Sequence, residues 1–244
     1  MSEVQYKLYP ADNRGFADHG WLKARHSFSF GGWYDPEKLH FGVLRVLNDD
    51  IVAPGMGFPT HPHDNMEIIT IPLKGSVYHE DNMRNSGEIK AGEVQVMSAG
   101  SGVMHSEYNK NADEELNLFQ IWIFPNKRNV EPRYDQQKIQ DDELKNDWVQ
   151  IVSPNSEDMG VWIHQNAWIL KGNISKGHNL SYVNQIEGNG SYLMVIEGLI
   201  KIENQELGRR DAIGIPTTKE LQITALEKSK VLLLDVPMNL EANA

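Results

Sequence analysis

Two pairs of residues in this chain carry the types and spacing of a metal site. His61 and His63 stand two positions apart in GFPTHPHDNMEIITIPLKG, residues 57–75. His105 and Glu107 repeat that spacing in GEVQVMSAGSGVMHSEYN, residues 92–109. Alternate side chains of a strand share a face, so each pair would present two donors in one direction. By the same parity Glu67 joins the first pair. Three imidazoles and one carboxylate around a divalent cation leave a net charge of about +1 and open positions for water, dioxygen or an oxygen ligand. Spacing does not choose between Glu67 and Glu107 as the carboxylate.

Short apolar or alternating runs separated by Gly, Asn, Asp and Pro must position these groups. They include FGVLRVLND (41–49), MEIITIPL (66–73), VQVMSA (94–99), LNLFQIWIFP (116–125), VWIHQNAWIL (161–170), SYLMVIEGLIKI (191–202) and KVLLLDVP (230–237). Strands of this number and length predict an all-β sandwich or barrel architecture. Residues 68–100 and 192–218 repeat one pattern: a buried strand, a Gly, an alternating strand, a polar turn and a further apolar strand. Two related β-domains are therefore expected. Residues 125–148 are polar and charged and read as a connection between them, with a helical turn near 141–145. Gly100 and Gly102, just before His105, suit a close backbone approach or a bend.

The motifs resemble those of the cupins. Gly55, His61-x-His63, Glu67 and Gly75 match the first cupin motif. Gly92 and Gly102-x-x-His105-x-x-x-Asn109 match the second, with two extra residues in its middle and Ser98 where proline is usual. More narrowly, ARHSFSFGGWYDP (24–36), FGVLRVLNDDIVAPGMGFPTHPH (41–63), AGEVQVMSAGSGVMHSEYN (91–109) and LFQIWIFP (118–125) resemble the pirin family, closest to bacterial pirin-like quercetinases. That resemblance implies two cupin barrels, each a double-stranded β-helix: residues 1–135 as the metal-binding domain and 136–244 as linker plus a degenerate cupin without metal ligands. It implies His61, His63, His105 and Glu107 as ligands, with Glu67 outside the ligand set. It further implies one divalent transition metal, Fe(II) first, with Zn, Cu, Mn, Co and Ni as alternatives.

The implied activity is oxidative cleavage of a flavonol such as quercetin by dioxygen, releasing carbon monoxide, with Glu107 as the base. A second reading has the same ligands: a non-enzymatic, metal- or redox-sensing module that binds a protein partner. A small, flat, largely apolar substrate matches a barrel lumen. Phe58, Met66 and Phe119 are candidates for lining it, core packing being the plainer role for each. In the C-terminal copy His178 stands alone and nothing like His105-x-Glu107 follows Gly208. His19, His26, His40, His79 and His164 lack partners at ligand spacing and read as structural, His26 as buried with a hydrogen-bond partner.

Composition narrows the classes further. A net charge of −11 and the lack of a basic cluster in the sequence argue against a nucleic-acid surface. The absence of cysteine removes disulfides and thiolate metal sites. With no apolar leader and no membrane-length run, the expected setting is cytoplasmic. Two barrels in one chain already supply the pairing that single cupin domains obtain by dimerising, so a monomer is expected.

Overall fold

The alternation in the sequence becomes alternation of burial only where one face of a sheet meets solvent. Leu22–His26 reads buried, exposed, buried, exposed, buried, whereas Glu67–Lys74 and Asn189–Glu197 are buried on both faces along most of their length. The computed structural model of the protein describes residues 5–139, 146–217 and 220–240. The turn expected near 141–145 lies outside the described residues. Among the described residues no helix is long and apolar enough to cross a membrane.

Each half pairs a seven-stranded sheet with a four-stranded one. The N-terminal large sheet runs Arg133–Lys138, Glu93–Ser98, Glu67–Lys74, Leu116–Ile123, Leu44–Val52, Leu22–His26 and Gly15–Asp18. Its small sheet runs Gly57–His63, Val103–Tyr108, Ser76–Asp81 and Ser86–Lys90. The C-terminal half repeats the plan: Ala212–Ile215, Asn189–Glu197, Ser229–Pro237 and Trp168–Ile174 occupy the places of the four central strands. The expected repeat is therefore real. The 68–100 and 192–218 segments supply matching strands in matching order.

The two large sheets face each other across a shared apolar core. Ile69, Ile71, Phe119 and Ile121 from one half meet Tyr192, Met194, Leu232 and Leu234 from the other. Phe119 therefore belongs to this core, not to a lumen. Each such side chain contributes about 1.5–3 kcal/mol by leaving water, so this face binds the halves together. An ionic clamp adds to it: Arg210 Nε lies 2.6 Å from Asp49 Oδ2, with Arg14 on the same carboxylate at 3.7 Å.

Two strands modify the expected organisation. Lys7–Tyr9, near the N-terminus, pairs with Ala212–Ile215 and completes the C-terminal sheet. Arg133–Lys138, in the stretch expected to be a connection, pairs with Glu93–Ser98 along its whole length. Its polar composition is that of an edge strand, where backbone bonds need no apolar side chains and charge discourages further pairing.

Inside the barrels the halves diverge. The C-terminal lumen holds one apolar cluster, Leu180, Leu193, Val195, Ile213, Ile223 and Leu233 among it. The N-terminal lumen holds two, one around Leu22, Val77 and Leu118, the other around Ile68, Met97 and Trp122. A belt of polar side chains separates them, formed by residues in register on five adjacent strands: His26, Asn48, Gln120, Thr70 and Gln95.

Candidate metal centre

The Gly57–His63 strand carries two prolines and lies at the edge of its sheet, where a missing N–H leaves no ladder bond broken. It pairs with Val103–Tyr108 so that His61 stands directly opposite His105. Beyond that pair the register shifts, Glu107 facing Phe58, so the edge strand bulges beside the site. Glycine is required at 57, because a Cβ there would collide with the Glu107 carbonyl. Along Val103–Tyr108 the burial alternates, placing Val103, His105 and Glu107 inward.

The imidazoles converge. His61 and His105 have ring centroids 4.4 Å apart, and His63 lies 4.8 Å from His61 and 4.9 Å from His105. Donor atoms of His61, His63 and His105 lie within 4.8 Å of one another, as do those of His79, His105 and Glu107. Two trios thus share His105. The C-terminal half has no such group among the described residues, and His178 is exposed.

Hydrogen bonds orient these groups. His61 Nδ1 lies 2.8 Å from the Pro59 carbonyl, which only accepts, so Nδ1 carries the proton and Nε2 a free lone pair. His79 Nε2 donates to Asp81 Oδ2 at 3.0 Å, leaving His79 Nδ1 as an acceptor. The single lone pair of that atom faces two donors, Gln95 Nε2 at 3.4 Å and His105 Nδ1 at 3.5 Å. His105 Nδ1 then carries its proton, and its Nε2 is the lone-pair nitrogen. His105 Nε2 is buried and has no hydrogen-bond partner. His79, fully buried, thus stands behind a candidate ligand. Only its place in the fold, not its sequence spacing, reveals this.

Glu107 is held by the polar belt. Gln120 Nε2 donates to Oε2 at 2.9 Å, and Thr70 Oγ1 lies 3.2 Å from Oε1 and 3.1 Å from Gln120 Oε1, able to give its single proton to either. Each carboxylate oxygen retains a lone pair for a cation. Burial, then the neighbouring His105 and His61, push the His63 imidazole down to about 4. Burial, then His61 and His79, push His105 down to about 3. Both rings are neutral near pH 7, the form that ligates metals. The donor set and the orphaned His105 nitrogen are those a divalent transition metal requires.

Glu67 does not share the face of His61 and His63. The chain leaves the first strand at His63, turns through Asn65 at φ 44°, and re-enters the other sheet at Glu67, so parity is not carried across. Glu67 accepts from Ser98 Oγ at 2.6 Å and from the His164 backbone N–H. The serine in place of the usual proline supplies that donor.

A cleft of about 360 Å³ opens on the centre, lined by the aromatic rings of Phe30, Phe58 and Trp122 and by His61, His63 and Glu107. Phe58 lines it as expected, whereas Met66 packs beside Trp122 in the second lumen cluster. His26 is buried and bonded to Asn48 Oδ1 at 2.9 Å, as its segment suggested.

Family comparison agrees with this architecture. The Pirin family model matches residues 9–123, and the model for the quercetinase C-terminal cupin domain matches 150–236. Two cupin domains in one chain, with metal-capable residues in the first, define a bicupin. The chain belongs to the pirin family. It is 38% identical over 237 residues to quercetin 2,3-dioxygenase of Escherichia coli strain K12, covering 94% of this chain and 98% of that protein. It is 40% identical over 227 residues to a pirin-like protein of Caulobacter vibrioides, covering 93% and 97%. Among solved structures, YhhW from Escherichia coli matches with a TM-score of 0.91 at 37% identity over 96% of this chain and 98% of that one. The bacterial pirin YhhW in complex with nickel(II) matches with a TM-score of 0.90 at 36% identity, covering 96% and 99%.

Proposed function

We propose that this protein is a metal-dependent dioxygenase that cleaves a flavonol such as quercetin with dioxygen and releases carbon monoxide. One observation carries the reading: a buried, unpartnered His105 Nε2 on a residue grouped with His61 and His63, which with Glu107 line an aromatic-walled cleft. His61, His63, His105 and Glu107 would hold the ion, Fe(II) before Ni, Co, Mn, Cu or Zn, since imidazole and carboxylate donors accept this whole series. When bound, the ion supplies Lewis acidity and, for the redox-active metals, a route for electrons to dioxygen.

The remaining work belongs to the chain. Phe30, Phe58 and Trp122 form walls suited to a flat ring system and exclude water from it. Glu107, bonded to Gln120 and Thr70, would take the proton of the flavonol 3-hydroxyl. In the overall change both carbon–carbon bonds to C3 break, the two oxygen atoms of dioxygen enter the flanking carbons, and C3 leaves as carbon monoxide with its own oxygen. The test is to strip the protein, reload each metal separately, and follow quercetin absorbance together with oxygen uptake. Metal-dependent loss of both supports the reading. A bound metal with no oxygen consumption under any loading overturns it and directs attention to a sensing role.

A further inference from the structure

The cleft contains a carboxyl that the proposed reaction does not use. Asp50 lines it, is 4% exposed, and has an Oδ1 that is buried without any hydrogen-bond partner. Its surroundings explain why. Its register neighbours on the flanking strands are Leu118 and Ala24, which offer nothing to bond. The adjacent Asp49 faces the opposite side of the sheet, and the cations Arg14 and Arg210 are engaged there. Asp50 is thus a polar group on the apolar side of the belt, two residues beyond Asn48.

A buried carboxyl without a partner is costly, and native structures retain one only for a reason. Resting on the flavonol reading above, we propose that Asp50 selects the substrate by accepting a hydrogen bond from an aromatic hydroxyl other than the one held at the metal centre. The cleft is then matched to a polyhydroxylated ring system over a bare one. Burial, then the charges of Asp49 and Glu107, raise the Asp50 carboxyl to about 8. A hydroxyl arriving with the substrate relieves that desolvation and gives the cleft its discrimination, because a site built around a substrate hydroxyl strongly disfavours the analogue lacking it.

The test compares quercetin with 3-hydroxyflavone, which keeps only the 3-hydroxyl, on the metal-loaded wild type and on the Asp50→Leu and Asp50→Asn variants. The expected result is a fall of about tenfold to a hundredfold in the quercetin to 3-hydroxyflavone ratio of kcat/KM for Asp50→Leu. Asp50→Asn, whose carbonyl still accepts, retains most of the ratio. Melting temperatures at or above wild type are expected, since an unpaired buried carboxyl has been removed. An unchanged ratio, or an equal loss on both compounds, overturns the proposal. If the wild type turns over neither compound, the dioxygenase reading fails separately, and tryptophan-fluorescence titration of both compounds decides the question. Discrimination in binding that Asp50→Leu abolishes then upholds the role of Asp50, while equal binding of the two, or binding of neither, overturns it.

Discussion

The Nδ1 atoms of His79 and His105 lie 3.5 Å apart, and their other partners decide which carries the proton. Asp81 accepts from His79 Nε2, so the proton between the rings belongs to His105, and its lone pair points away at Nε2. Burial raises the Asp81 carboxyl, but the hydrogen bonds from His79 and Asn85 outweigh it and keep it below the usual range. A chain from Asp81 through His79 thereby orients a candidate metal ligand. His79→Phe is expected to lower metal affinity about tenfold to a hundredfold, read by competition with a chelator. Unchanged affinity in a folded variant would show that the chain orients nothing.

Glu107→Gln keeps an acceptor for Thr70 or Gln120 and removes the charge. The variant is expected to fold and to lose about a hundredfold or more in kcat for quercetin, the usual range for a general base. Undiminished turnover would remove Glu107 from that role.

Glu67 couples stability to pH. Burial raises its carboxyl to about 7, with Ser98, His164 and Arg133 opposing that rise only partly. Between its unfolded value near 4.5 and about 7, the folded state binds the proton and the unfolded chain does not. Stability from this group is therefore present below pH 4.5 and lost as pH rises through 7. Relative to wild type, Glu67→Gln should gain on the order of 2–3 kcal/mol between pH 4.5 and pH 8 in urea unfolding. Parallel pH profiles would contradict the assignment.

Arg210 ties the halves through Asp49 and also lies 3.2 Å from Asn117 Oδ1, with its side chain 5% exposed. Arg210→Met leaves Asp49 with the more distant Arg14 as its cation, beside the bond from Asn117 Nδ2 at 2.8 Å, and should destabilise the protein by about 3–5 kcal/mol. Adding Asp49→Leu should recover part of that loss. A double variant no more stable than the single one would place the effect in packing.

Much of this was legible in the residues. The plan of two related β-domains followed from the repeat, because matching strands recur in matching order, and the resemblance to cupins implied that each is a barrel. His61, His63, His105 and Glu107 were visible as spaced pairs; the structure groups His61, His63 and His105 in one trio and Glu107 and His105 in another, whose third member is His79. Parity failed for Glu67, since the left-handed turn at Asn65 moves the chain between sheets and alternation holds only within one strand. The run 191–202 divides at Gly198, φ 95°, where the repeat placed a Gly between a buried and an alternating strand. The polar belt leaves a trace in the sequence: Thr70, Gln95 and Gln120 each interrupt an apolar run with one polar residue, and Asn48 opens the polar triplet Asn48–Asp50 within another. Their alignment required the register across five strands, which no single segment encodes. His79 and Asp50 were hidden for the same reason, as their meaning lies in what surrounds them.

The most direct test of the central claim is stoichiometry. One preparation of wild type and of His105→Ala, each reloaded with Fe(II) and in parallel with Ni(II), would be assayed for quercetin consumed, dioxygen consumed and carbon monoxide released. The account predicts equal molar amounts of all three for the wild type with at least one metal and none for the variant. Quercetin loss without carbon monoxide, or carbon monoxide release that survives His105→Ala, would contradict it.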